Sequence, residues 1–166
     1  MMEIRPATAA DVPHLLPMVQ KICALHQSWD PAKYGFKPDP QERYRHWLTQ
    51  RAGDPRSVFL VAEADHGAPG EKPNLVGFLI ATIEKEIPIY ELHEYGFIHD
   101  LWIEEDYRHE GLGRQMTMLA VEKFTALGVP QIRLDTATAN DPARALFASC
   151  GFRPSVIEML IELKPD

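Results

Sequence analysis

A chain of 166 residues, 45% hydrophobic and 25% charged, can bury a sizeable core and is expected to form one domain over residues 1–166. No apolar run reaches the roughly 18 residues of a membrane span, and Met1-Met2-Glu3-Ile4-Arg5 carries no signal segment, so no membrane partner is expected. Two cysteines, Cys23 and Cys150, are too few for a disulfide framework and imply a reducing cytoplasm, while a net charge of −7 runs against nucleic acid as a partner.

Ile4 reads as a short first strand. Thr8 then caps a helix, with Asp11 as its capping-box partner, and Val12, Leu15, Leu16, Val19, Ile22 and Cys23 recur at helical spacing until about His26. Ser28 to Pro40, rich in Pro, Gly and aromatics, reads as a loop. A second helix covers about Gln41 to Arg51, with Trp47 and Leu48 turned inward.

Val58 to Ala64 and Leu75 to Lys85 are strands, joined by a polar hairpin segment from Asp65 to Pro73 whose tip is expected to be mobile. Ile87 to Gly96 interrupts before a central strand from Phe97 to Ile103. A long helix from Gly111 to Leu127 carries a core stripe of Leu112, Met116, Leu119, Ala120, Phe124 and Leu127, and Gly128 stops it. Ile132 to Thr136 is a strand, Pro142 to Ser149 a short helix, and Val156 to Leu163 a final strand. The order predicts a mixed α/β fold, a sheet with helices on both faces. The seven histidines have no metal-ligand spacing, so no metal is expected.

Between the central strand and the long helix runs Arg108-His109-Glu110-Gly111-Leu112-Gly113-Arg114. A glycine-bearing turn at a helix start leaves backbone N–H groups unpaired at the positive end of the helix dipole, which suits a phosphate or diphosphate. A nucleotide-binding P-loop would need Lys-Ser/Thr after the last glycine, where Arg114-Gln115 stands. A dinucleotide fold would need a third small residue where Met116 stands.

Arg108-x-x-Gly111-x-Gly113 after Leu101-x-Ile103 resembles motif A of the GNAT superfamily, the acyl-CoA-dependent N-acetyltransferases. Asn140-x-x-Ala143-x-x-x-Phe147-x-x-x-Gly151-Phe152 is similar to motif B, and Ile4-Arg5-Pro6-Ala7-Thr8 opens the chain as in many members. The resemblance implies a mostly antiparallel sheet of about six to seven strands, with the fourth and fifth splayed to admit the pantetheine arm. It also implies acetyl-CoA as co-substrate and direct transfer to an amine, without an acyl-enzyme.

On this resemblance the N–H groups of His109, Glu110, Gly111, Leu112, Gly113 and Arg114 take the diphosphate. Arg108 either contacts a phosphate or braces the turn. Leu101 and Ile103 meet the cofactor through their backbone, and an N–H near Ile103 polarises the thioester carbonyl. Asn140 bonds the pantetheine, caps the helix at Pro142, or both. Phe147 stands where many relatives carry a tyrosine that protonates the CoA thiolate. That leaves the general acid open, with Tyr90 and Tyr95 nearest in sequence.

An amine with pKa near 10.4 must lose a proton before it attacks. His99 and Asp100 are the candidates on the central strand. His99 resembles the strand-four histidine that acts as a water-linked base in arylalkylamine members, and is otherwise a hydrogen-bonded core histidine. Strict alternation places His99 with Leu101 and Ile103, and Asp100 on the opposite face with Ile98 and Trp102. Asp100 either binds the substrate ammonium or is a structural carboxylate.

The acceptor is a small amine (a polyamine, arylalkylamine, aminoglycoside or amino acid) or a protein lysine or N-terminus. Trp29, Tyr34, Tyr90 and Glu94 are the candidate substrate contacts, since aromatic faces and carboxylates attract a cation. The alternative from a different class is a non-catalytic acyl-CoA sensor or interaction module, and a longer acyl group is a third option. Many relatives pair through their C-terminal strands, and Val156 to Leu163 is apolar enough to form a homodimer this way.

Overall fold

In the computed structural model, residues 2–64 and 72–163 are described. Five strands form one sheet in the order β1 (Met2–Pro6), β2 (Val58–Ala64), β3 (Leu75–Lys85), β4 (Glu94–Ile103) and β5 (Ile132–Leu134). The first three pairings are antiparallel, and β4 pairs with β5 in parallel. Helices α1 (Val12–Trp29) and α2 (Pro40–Arg51) cover one face; α3 (Leu112–Ala126) and α4 (Asp141–Ser149) cover the other.

Strands β2 and β3 are buried along nearly their whole apolar length because the sheet is covered on both sides. Val61, Phe78 and Ile80 point to α1 and α2, among Leu15, Val19 and Leu48. Ala62, Leu79 and Ala81 point to α3, among Leu112, Met116, Ala120 and Phe124. Leu119, expected in the α3 stripe, is exposed, and Thr117 is buried in its place, donating to the Gly113 carbonyl at 2.8 Å. A helical residue one position off the core stripe is carried round to solvent by the 3.6 period.

β4 and β5 pair only from Gly96 to Ile98 against Ile132 to Leu134. From His99 onward β4 has no strand neighbour on that side among the described residues, so the two strands part as expected. The fifth strand is correspondingly shorter than the predicted Ile132 to Thr136.

The expected final strand is not formed: residues 156–163 pair with no strand among the described residues, and the sheet has five strands, not six to seven. A strand needs a partner for its backbone groups, and this segment meets none among the described residues. The tip of the expected β2–β3 hairpin, residues 65–71, lies outside the described residues. No helix of the described residues is long and apolar enough to cross a membrane.

Thr8 and Asp11 do interact, but ahead of the helix. Asp11 is the residue before α1 and accepts from the Thr8 N–H (2.7 Å) and hydroxyl (2.8 Å). Both its oxygens also accept from the Arg5 guanidinium at 2.8 Å, and Arg5 reaches Glu63 on β2 at 2.9 Å. This cluster ties β1, β2 and the start of α1 together. Burial raises the Asp11 pKa, but the bonds from Arg5 and Thr8 outweigh it and hold the group at about 2. The folded value lies below the unfolded value near 3.9, so the stabilisation is full above pH 4 and is lost as pH falls towards 2. Asp11→Asn is expected to cost about 2 kcal/mol at pH 7. Urea titrations of both proteins should show that gap closing between pH 4 and pH 2.

Candidate active site

The pairing of β3 with β4 is interrupted once. Ile80 opposes Asp100 and Ala81 opposes Ile98, so His99 is an extra residue with no partner opposite, a β-bulge. The bulge resets the alternation. His99 and Asp100 both face α2, while Ile98, Leu101 and Ile103 face α3. The expected split of His99 from Asp100, with His99 beside Leu101 and Ile103, is therefore corrected. Trp102 keeps its expected face, packed against the α1–α2 core.

On the α2 face, Asp100 Oδ2 accepts from the Tyr44 hydroxyl at 2.5 Å. Burial raises the pKa of Asp100, against the lowering effect of the Tyr44 bond and of His99. Burial also raises the Tyr44 pKa, and the neighbouring Asp100 adds to it. His99 lies edge-on to Trp47 at 5.1 Å and against Phe97 at 5.0 Å, and its Nε2 is 2.6 Å from the Thr82 hydroxyl. Burial lowers the His99 pKa below the usual histidine value, opposed by Asp100 and Glu84. The ring is therefore neutral at pH 7, able to accept a proton.

Beyond Ile103 the chain makes a short 3-10 turn (Glu105–Tyr107) and enters the glycine turn. His109 and Gly111 both take the left-handed conformation, with φ of 66° and 80°. The first helical bond closed here is Gln115 N–H to Gly111 O at 3.0 Å. The N–H groups of His109 through Arg114 donate to no acceptor among the described residues. Six consecutive free amides at a helix start fit a diphosphate. Gly111 is required by its φ. Gly113 packs closely on α4: a Cβ there would stand 3.3 Å from Leu146 Cδ2, which would have to give way slightly. Glu110 and Arg114 are exposed, and Leu112 anchors the turn in the core.

Arg108 turns back from the glycines. Its Nε donates to the Ile103 carbonyl at 2.9 Å and its guanidinium lies 4.8 Å from the Trp102 ring centre. Both contacts tie Arg108 to the end of β4. Asn140 Oδ1 accepts from Ala143 N–H at 3.2 Å, so it caps α4. Phe147 is 7% exposed, edge-on to Phe152 at 5.7 Å, and belongs to the core.

The expected substrate contacts divide into two groups. Trp29 and Tyr34 gather round His26 at the end of α1, at 5.4 and 4.8 Å. Glu94 opens β4 and is paired with Arg56 at 2.8 Å, about 16 Å along the strand from His99 at ~3.3 Å per residue. Tyr90 is exposed in the preceding loop, and Tyr95 lies under Arg133 at 3.9 Å. A cavity of about 800 Å³, lined by Lys21, Trp102, Glu105 and Arg108 among others, does not reach His99.

Sequence reasoning missed Thr82, Glu84, Tyr44 and Trp47. The signal for the first two was a polar alternation, Thr82-x-Glu84, closing an otherwise apolar strand. For Tyr44 and Trp47 only the three-residue helical spacing was available, and it does not say what the helix faces.

A family model for the Acetyltransferase (GNAT) family matches residues 22–152. The chain belongs to the GNAT acetyltransferase family. It is 28% identical over 130 residues to the mycothiol acetyltransferase of Corynebacterium urealyticum, a match covering 75% of this chain and 36% of that protein. The chain thus spans well under half the length of the curated relatives it matches. Among solved structures it resembles the tetramutant of BH1408 protein from Bacillus halodurans, with a TM-score of 0.79, 20% identity and coverage of 97% and 99%. A GCN5-related N-acetyltransferase from Ralstonia eutropha JMP134 gives a TM-score of 0.69 at 21% identity, covering 98% and 99%. At these identities the structural likeness shows the fold.

The Asn140 cap yields a stability test independent of any substrate. Asn140→Ala is expected to lower stability by about 1 kcal/mol in a urea titration, and Asn140→Asp to retain most of it.

Proposed function

We propose that this chain transfers the acetyl group of acetyl-CoA directly to a primary amine within a ternary complex. The observation that carries the proposal is the run of free amides from His109 to Arg114, beside a strand, β4, that loses its β5 neighbour beyond Ile98. Acetyl-CoA supplies an activated acyl group whose thiolate, with a pKa near 8.5, is a tolerable leaving group. The turn amides hold the diphosphate, and Gly111, whose Cβ position is open, keeps a side chain clear of it. The backbone of Leu101 and Ile103, on the unpaired stretch of β4, lines the gap between the strands. Asn140, with its oxygen engaged in the cap, has its amide N–H groups left for the pantetheine arm.

His99 removes the amine proton, and its lowered pKa keeps it unprotonated at neutral pH. Asp100 positions the acceptor side through Tyr44. The acceptor is a small cationic amine, supported by the aromatic lining of Tyr44, Trp47 and Phe97 around His99 and Asp100. The acidic balance of the chain attracts such a cation. Phe147, buried and without a donor, supports the second reading, an acyl-CoA sensor without turnover.

Calorimetry with acetyl-CoA, followed by CoA thiol release over an amine panel, separates these. Native protein is expected to bind and to release thiol only when an amine is present. Gly111→Trp, checked for folding by circular dichroism, should bind at least tenfold more weakly. His99→Ala should keep its acetyl-CoA affinity and lose about 10²- to 10⁴-fold in kcat/KM. Binding without thiol release from any amine would establish the sensor.

We also propose that two copies pair through residues 156–163. Val156, Ile157, Met159, Leu160, Ile161 and Leu163 are 51–87% exposed, on both alternations of an extended segment, while β5 is a free sheet edge. Light scattering should give twice the 18.8 kDa of one chain, and a truncation after Pro154 should give a monomer. A monomer mass for the intact chain would sink the idea.

A further inference from the structure

Thr82 lies between His99 and Glu84 and is 5% exposed. Its hydroxyl donates to Glu84 Oε1 at 2.6 Å and stands 2.6 Å from His99 Nε2, while Glu84 Oε1 itself is 3.6 Å from Nε2. A hydroxyl has one proton, and an ionised carboxylate can only accept. With that proton committed to Glu84, Thr82 can offer His99 only a lone pair. His99 Nε2 must therefore carry a hydrogen, and in the neutral ring Nδ1 is the unprotonated nitrogen. Nδ1 has no hydrogen-bond partner among the described residues and is not a fully buried atom.

We infer that Thr82 and Glu84 are positioning residues that hold His99 in the Nε2–H tautomer and so direct Nδ1 to the acceptor amine. The inference rests on the proposed acetyl transfer. As the amine nitrogen bonds to the acetyl carbon and the carbon–sulfur bond breaks, the electron pair leaves on the CoA sulfur. The amine proton passes to Nδ1, directly or through water. The imidazolium so formed already donates through Nε2 to Thr82, with the Glu84 carboxylate behind it. No bond has to rearrange when the charge appears. Glu84 does not need to take the proton. This is the service a buried carboxylate gives a catalytic imidazole, here delivered through a hydroxyl.

The groups that set the charge around His99 are Asp100 on its own strand, Glu84 on β3 and Arg51 on α2. The aromatic walls, Phe97 and Trp47, are neutral. Removing the Glu84 charge therefore favours neutral His99, and the acid limb of the rate profile moves to lower pH. A glutamine at 84 can donate to Thr82, which frees the hydroxyl proton to point at Nε2 and favours the opposite tautomer.

Imidazole ¹⁵N spectra of the full chain, with His99 assigned from a His99→Gln variant, read the tautomer without any substrate. Native protein is expected to show Nε2–H. Thr82→Val and Glu84→Gln should each show a mixed or reversed tautomer and lose about 10- to 100-fold in kcat, with acetyl-CoA affinity by calorimetry unchanged. Thr82→Ser, which keeps the hydroxyl, should restore both tautomer and rate. A native Nδ1–H tautomer, or a Thr82→Val protein with native tautomer and kcat, would overturn the inference. A native protein with the expected tautomer that acetylates no amine would instead overturn the acetyl-transfer reading, and the base role with it.

Discussion

The site is organised by the missing partner of His99. β3 and β4 are otherwise in continuous antiparallel register, and each side chain of β4 falls to the face that the period of two dictates. One extra residue between Ile98 and Asp100 shifts that period by one. His99 and Asp100 then come to the same side, against Tyr44 and Trp47 of α2. Without the bulge one of the two would lie among Leu112 and Met116, where neither charge nor proton transfer has a use. Bulges bend a strand and raise its twist. This one stands immediately after Ile98, where β4 and β5 cease to pair.

That divergence joins two otherwise separate structures. On one side of β4 is a turn whose amides have no acceptor among the described residues, shaped by a left-handed Gly111. On the other side is a compact polar cluster of Thr82, Glu84, His99, Asp100 and Tyr44, walled by aromatics. Strand β4, which has no β5 partner beyond Ile98, runs between the two. Arg108 ties the turn to the strand end, bonded to the carbonyl of Ile103 and placed over the Trp102 ring.

Much of this was legible from residues. The helical stripe of α3, the apolar strands β2 and β3, the cap at Asn140 and the glycine turn are local patterns, set by periodicity and by the conformations that glycine permits. The face assignment of His99 was not legible, because a bulge is written in the register between two strands and neither strand alone reveals it. Thr82 and Glu84 escaped notice for a related reason: seventeen residues of chain separate Thr82 from His99, and only sheet pairing brings them together. The final strand failed for the opposite reason. Val156 to Leu163 has strand composition, but composition does not supply the neighbour a strand requires.

The sequence by itself determined the family, the order of elements from β1 to α4 and the glycine turn before α3, since these depend on residue types at fixed short spacings. Only the tertiary structure decided which side of β4 carries His99, which groups stand beside its ring, and that residues 156–163 pair with no strand among the described residues. Those outcomes depend on register and on groups brought together across the sheet. Such contacts are fixed by packing the whole chain and have no signature in any one segment.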